Sequence, residues 1–192
     1  MDARNIGLRN IEVADTKICS IDGDHGKLIY RGYDILDLVN RSTFEETAYL
    51  LLFGELPSTE QLADFSQRLT EARNLPEPLL ANLKNRPKNA HPMDVLQSCI
   101  SELADYDLNI LDDTREANIR RAIILISKIP TIVAAWNRIR NEEHVLDPMR
   151  AGSYSANFLY MLRGTRPIEE ESKIFDICLI LHAEHSFNAS TF

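Results

Sequence analysis

The stretch of this chain richest in chemically versatile side chains is Leu181 to Phe192, LHAEHSFNASTF. His182 and His185 lie three residues apart at the end of a long apolar run, and Asn188, Ser190 and Thr191 follow at once. Each imidazole has two nitrogens that can donate, accept and carry charge near neutral pH. Residues three apart on a helix share a face. The two rings can therefore act together if the helix carrying Phe175, Cys178 and Leu179 continues through them. Spacing alone leaves a second reading open, in which the pair are satisfied histidines at a helix end.

A metal reading is weaker. HAEH is neither HExxH nor HxxEH, because Glu184 sits between the histidines at the wrong offset. Zinc would need further ligands from His25, His91 or His144, and nothing in the sequence ties those together. His91 reads as a helix N-terminal residue whose ring packs or caps, and His25 as an exposed loop residue. No GxGxxG, GxxxxGK[ST] or GxSxG occurs, so neither a phosphate cradle nor a nucleophile elbow can be read. Arg138, Arg140 and Arg163 could clamp carboxylates, but a solvated helix face is the simpler expectation. Tyr154, Phe158 and Tyr160 read as core or helix-contact residues.

The elements that must position this cluster follow from pattern. Residues 16–31 carry β-branched and aromatic residues on either side of Asp22-Gly23-Asp24-His25-Gly26, which predicts a hairpin with Gly23 and Gly26 supplying positive φ and Gly32 ending it. From Asp34 onward the periodicity is helical. Ser42 with Glu45, and Ser58 with Gln61, read as capping boxes, with Gly54 closing the first of these helices. A short helix carries Leu79, Leu80 and Leu83. His91-Pro92 opens another, whose expected apolar face is Met93, Leu96, Ile100 and Leu103, with Pro at a position that loses no bond. Asp112-Asp113-Thr114 starts an Ile-rich helix that Pro130 is expected to kink or break near Lys128. Ser153 to Arg163 is a helix ended by Gly164. The last helix starts at Pro167, with Glu169, Glu170 and Glu171 in its first turn. It is apolar nearly all round, so it is expected to be buried.

Composition sets the limits. At 192 residues, 44% hydrophobic and 26% charged, the chain has material for a real core. Its formal net charge of −8 gives no global basic footprint for nucleic acid. Cys19, Cys99 and Cys178 are isolated and read as buried thiols of a reducing compartment. The N-terminus has no signal core, and the uncharged apolar stretches look too short to span a bilayer, so a cytoplasmic protein with no membrane partner is expected. The expected organisation is an N-terminal segment with a β-hairpin over 1–33 and a helical portion over 34–192.

Several segments together resemble the citrate synthases of bacteria and archaea. They are SIDGDHGKLIYRGYDILDL (Ser20–Leu38), FEETAYLLLFGELPS (Phe44–Ser58), HPMDVL (His91–Leu96), KIPTIVAAWNRIR (Lys128–Arg140), SANFLYMLRG (Ser155–Gly164) and LHAEHSFNASTF, in the family's order and spacing. The resemblance implies a mainly α, multi-helical large domain with a small N-terminal β-hairpin. It implies condensation of acetyl-CoA with oxaloacetate to citrate and CoA. Acetyl-CoA is a substrate there, and neither metal nor cofactor is used. It also implies a homodimer through the helices near 91–106 and 114–140.

By match to the family motif, His185 contacts oxaloacetate, with His182, Asn188 and Ser190 supporting it. The proton-transfer residues belong to later GPLHGG-like and GHxxY-like segments and to a still later aspartate, none of which occurs here. No catalytic residue is therefore expected in this chain, and the 192 residues are expected to be an N-terminal fragment, inactive alone. A 2-methylcitrate synthase using propionyl-CoA, and a catalytically dead dimerisation module, are the alternatives.

Overall fold

The computed structural model describes residues 15–185. A small antiparallel sheet comes first, with strands β1 (Cys19–Asp22), β2 (Lys27–Tyr30) and β3 (Tyr33–Asp34) in that order. The predicted hairpin is present, with Cys19 opposite Tyr30 and Asp22 opposite Lys27. Gly26 takes positive φ as expected and Gly23 does not. Gly32 does not end the sheet. The chain reverses there and pairs Tyr30 with Tyr33. Arg31 and Gly32 both have positive φ, 49° and 92°, as a tight two-residue reversal requires. Arg31 is a non-glycine residue in that conformation, and its guanidinium donates to the Leu51 carbonyl at 3.0 Å.

Helices follow: α1 (Ile35–Arg41), α2 (Phe44–Phe53), α3 (Thr59–Glu71), α4 (Glu77–Lys84) and α5 (Pro92–Glu102). After a 3-10 turn at Leu103–Tyr106 come α6 (Arg115–Arg140), α7 (Tyr154–Arg163) and α8 (Glu169–Leu181). The protein is mainly α, as the sequence predicts. The Ser58–Gln61 capping box forms as expected. The box on α2 sits one residue later than expected: Thr43 caps, and Glu46 reaches back to the Thr43 amide at 2.7 Å. That shift leaves Glu45 free to turn inward. His91 caps α5, its Nδ1 accepting the Met93 amide at 3.3 Å.

Three clusters make the core. One joins α4, α5 and α6 through Leu79, Leu83, Val95, Cys99, Ile132 and Trp136. A second joins the sheet to α1, α2 and α8 through Tyr30, Ile35, Leu38, Leu50 and Ile180. The third joins α2, α3 and α6 through Ala48, Tyr49, Phe65, Leu69 and Ile123. Each fully buried Leu or Ile contributes about 1.5–3 kcal/mol. The buried stripe of α5 is Val95, Cys99 and Leu103 rather than the predicted one, and Met93 is 62% exposed. Leu103 is the one predicted face residue that is buried.

Further expectations are corrected. The long helix α6 runs through Pro130 without a break. It is also long and apolar enough, by length and composition, to cross a membrane, but 56% of its most apolar window is buried inside the protein. Helix α8 is not buried. It packs on α1, α2 and α7, so of its residues only Ile180 is fully enclosed, while Ile174 is 62% exposed. Of the cysteines Cys99 is buried, Cys19 half-buried and Cys178 exposed. Arg138 is not on a solvated face: it is buried and pairs with Glu143 at 3.1 Å, while its Nε donates to the His144 carbonyl.

Candidate functional site

Helix α8 stops at Leu181, where His182 becomes its C-cap with φ −106° and ψ 5°. His182 and His185 therefore do not share a continuing helix face; they bracket a turn beyond the helix end. The His182 amide bonds back to the Cys178 carbonyl at 3.2 Å, and the Ala183 amide to the Ile180 carbonyl at 3.2 Å. The His182 Nδ1 lies 2.7 Å from the same Cys178 carbonyl oxygen. A carbonyl only accepts, so Nδ1 must carry the proton. That leaves Nε2 of His182 as the nitrogen available to another group. Both imidazoles are exposed. Asn188 and Ser190 lie outside the described residues.

The turn is held from the opposite end of the chain. Tyr30, on β2, is completely buried. Its hydroxyl donates toward the Glu184 carbonyl at 3.0 Å and the Leu181 carbonyl at 3.3 Å. The Leu181 carbonyl belongs to the last helical turn, whose acceptors have no intrahelical donor. Burial raises the phenol's pKa, which keeps it a donor. Ala183 packs against the same cluster as Tyr30 and Ile180.

Deeper in the protein, two carboxylates cap the helices that carry α8. The Asp176 carboxylate, on α8, accepts the Phe44 amide at the start of α2 at 3.0 Å. The Glu45 carboxylate, on α2, accepts the Tyr154 amide at the start of α7 at 2.8 Å. A carboxylate at a helix N-terminus satisfies an orphan donor and complements the dipole. Burial nevertheless pushes both acids above the usual carboxylate range, with the capped amides pulling them back. Arg73, also buried, faces Glu45 and donates to the Met149 carbonyl at 3.1 Å.

Sequence reasoning missed Tyr30, Glu45, Asp176 and Arg73. Asp176 left a signal, as a lone charge inside IFDICLILH. Tyr30 left none, because its partners are more than 150 residues away. His25 pairs with Asp22 at 2.8 Å in the exposed hairpin turn, far along the chain from the other histidines. Among the described residues, no three His, Cys, Asp or Glu side chains come together to hold a metal. A cleft of about 630 Å³ is bounded by Met149, Arg150, Gly152, Tyr160, Arg166 and neighbours, and no predicted site residue lines it.

Chemically, the described residues offer two exposed imidazoles on a turn anchored by the Tyr30 hydroxyl.

Comparison with known proteins places this architecture. The family model described as "Citrate synthase, C-terminal domain" matches residues 7–192. The citrate synthase of Haloferax volcanii is 40% identical over 190 residues, covering 97% of this chain and 50% of that protein. The citrate/2-methylcitrate synthase of Bacillus subtilis is 38% identical over 186 residues, again 97% of this chain and 50% of that protein. The crystal structure of citrate synthase from Pyrobaculum aerophilum superposes with a TM-score of 0.89 at 36% identity, covering 96% of this chain and 48% of that one. The chain thus spans about half the length of the relatives it matches. It belongs to the citrate synthase family.

Proposed function

We propose that this chain supplies the oxaloacetate-binding wall of a citrate synthase, with His185 contacting the keto acid and His182, Asn188 and Ser190 supporting it. In the reaction the acetyl methyl group of acetyl-CoA loses a proton. The resulting carbon nucleophile attacks the keto carbon of oxaloacetate, and water cleaves the thioester to release citrate and the CoA thiol. Oxaloacetate brings two carboxylates and a carbonyl, all acceptors. A charged imidazole donating to such an acceptor makes a hydrogen bond roughly twice as strong as a neutral pair. The proton-transfer groups are expected in the half of the family's length that these 192 residues do not span, so the 192 residues by themselves bind and orient but do not turn over. The observation that carries the reading is the turn at the end of α8, with both imidazoles exposed and the backbone beneath them anchored.

The functional unit we propose is a homodimer through α5, the loop after it, and α6. Support comes from apolar side chains that this chain leaves uncovered there: Met93 at 62%, Leu108 at 95% and Leu111 at 94% exposure. Cys99 and Cys178 are free thiols, which suits the cytoplasmic setting we propose. A second reading, 2-methylcitrate synthase using propionyl-CoA, is favoured by the Bacillus subtilis relative's double name.

A chimera tests this. Residues 1–192 of this chain are joined to the part of the Haloferax volcanii relative beyond the match. Thiol release from acetyl-CoA and oxaloacetate is then followed, with propionyl-CoA in parallel. Release by the chimera, none by the 192-residue chain, and a KM for oxaloacetate raised at least about tenfold by His185→Ala are expected. An unchanged KM in that variant defeats the His185 assignment.

A further inference from the structure

We propose that Tyr30 is a positioning residue for the His182–His185 turn, its single phenol gripping the peptide groups that lead into both histidines. The argument is geometric. A peptide unit is planar, so a carbonyl and the amide nitrogen that follows it move together. The Leu181 carbonyl shares its plane with the nitrogen of His182, and the Glu184 carbonyl shares its plane with the nitrogen of His185. These are the two carbonyls that the Tyr30 hydroxyl meets, at 3.3 Å and 3.0 Å.

Two carbonyls of the last helical turn are engaged from within. That of Cys178 accepts the amide and the ring of His182, and that of Ile180 accepts the Ala183 amide. A phenylalanine at position 30 would fill the same buried volume between Leu38, Leu50 and Ile180. A hydroxyl in such a place is costly unless it is bonded, and here its bonds are to the turn. The residue thus does more than fill the core: it ties a β-strand near the start of the chain to the orientation of two side chains near its end. That the turn binds oxaloacetate rests on the function proposed above; that Tyr30 sets the turn does not, and its test uses no substrate.

Two measurements on the 192-residue chain decide it. In mixed H₂O and D₂O, the Tyr30 ring carbon bearing the hydroxyl should give two resolved carbon-13 signals, the mark of a buried hydroxyl proton that exchanges slowly. A single averaged signal overturns the proposal. In Tyr30→Phe, amide hydrogen exchange at His182 and Ala183, whose amides bond to the Cys178 and Ile180 carbonyls, should accelerate about tenfold or more, with the His185 ring resonances shifting. Amides of β2 and α1 should change less. Ile35→Val, a core change in the same cluster, should instead loosen the sheet and α1 without singling out the turn. If Tyr30→Phe gives the pattern of Ile35→Val, or leaves the turn unchanged, Tyr30 is only a core residue. A His185→Ala chimera with unchanged oxaloacetate KM would defeat the functional reading and leave these results standing.

Discussion

The hydroxyl of Tyr154 donates to the carbonyl oxygen of Ile126 at 2.5 Å. Ile126 lies four residues before Pro130, so it is the acceptor that the proline's missing N–H leaves without a helical donor. This side-chain bond from α7 explains how α6 runs its 26 residues unbroken where the sequence predicts a kink or a break. Burial raises the Tyr154 pKa well above the usual phenol value, so the proton stays on the donor.

Tyr154→Phe should therefore destabilise the chain by about 1–3 kcal/mol, the cost of a buried acceptor left unpaired. Pro130→Ala restores the backbone donor. In that background the cost of Tyr154→Phe should fall by half or more, giving a coupling that a double-mutant cycle in urea reads directly. Strict additivity of the two changes would mean that the phenol and the proline act independently.

Stability should also depend on the two buried capping acids. Glu45 and Asp176 both have folded pKa values raised by burial. A raised acid binds more protons folded than unfolded, so its contribution is fully present below the unfolded value. It declines as pH rises through the folded one. The window opens near the ordinary carboxylate range and extends upward. The charges that face Glu45 are Arg73, which opposes the shift, and Asp176, which adds to it. Urea midpoints measured from pH 4 upward should show this decline, and Glu45→Gln, which can still accept the Tyr154 amide, should flatten it. A variant with the same pH slope as the parent would remove Glu45 from the account.

The dimer interface proposed on α5 can be probed at its apolar residues. Met93 is 62% exposed and Ile100 is half-exposed on the side away from the Val95–Cys99 stripe. Ile100→Asp places a charge where the proposed partner copy would seat, and an unpaired buried charge is strongly unfavourable. Sedimentation should show the dimer dissociation constant rising at least about tenfold, with helicity by circular dichroism retained. Identical association in parent and variant would move the interface elsewhere.

Much of the fold was legible because its signals are local. Ser58 and Gln61, His91 and Pro92, and Ser153 ahead of α7 each mark a helix start through contacts within three residues, and these starts appear where predicted. What the sequence hid depends on distant partners. The stripe of α5 was misread because Met93, Leu96 and Ile100 are as apolar as Val95 and Cys99, and only the placement of α4 and α6 chooses between them. Of the kink or break expected at Pro130, the break does not occur, because a compensating donor is supplied from 28 residues away. Helix α8 reads as buried from its composition, yet the described elements cover only one side of it. At the candidate site, the histidines were visible as residues. The hydroxyl of Tyr30 beneath them was not.

The cap of α7 offers a test of crowding against backbone strain. Gly54 and Gly164 both end helices in the left-handed region, with φ of 97° and 86°. A Cβ added at Gly54 meets nothing within 4 Å, whereas at Gly164 it would stand 3.1 Å from Nη1 of Arg138. Gly54→Ala thus reports the conformational cost alone, about 1–2 kcal/mol. Gly164→Ala bears that cost and must also displace a guanidinium that is buried and tethered to Glu143 and to the His144 carbonyl. Displacing it strains the 141–146 segment, so Gly164→Ala should cost about 1 kcal/mol more than Gly54→Ala, at the lower end of the range for overpacking. Paired thermal and urea denaturation of the two variants measures that difference. Equal costs would show that Arg138 yields without loss, and its ion pair with Glu143 would then be a loose surface contact rather than a fixed brace between α6 and the loop that follows it.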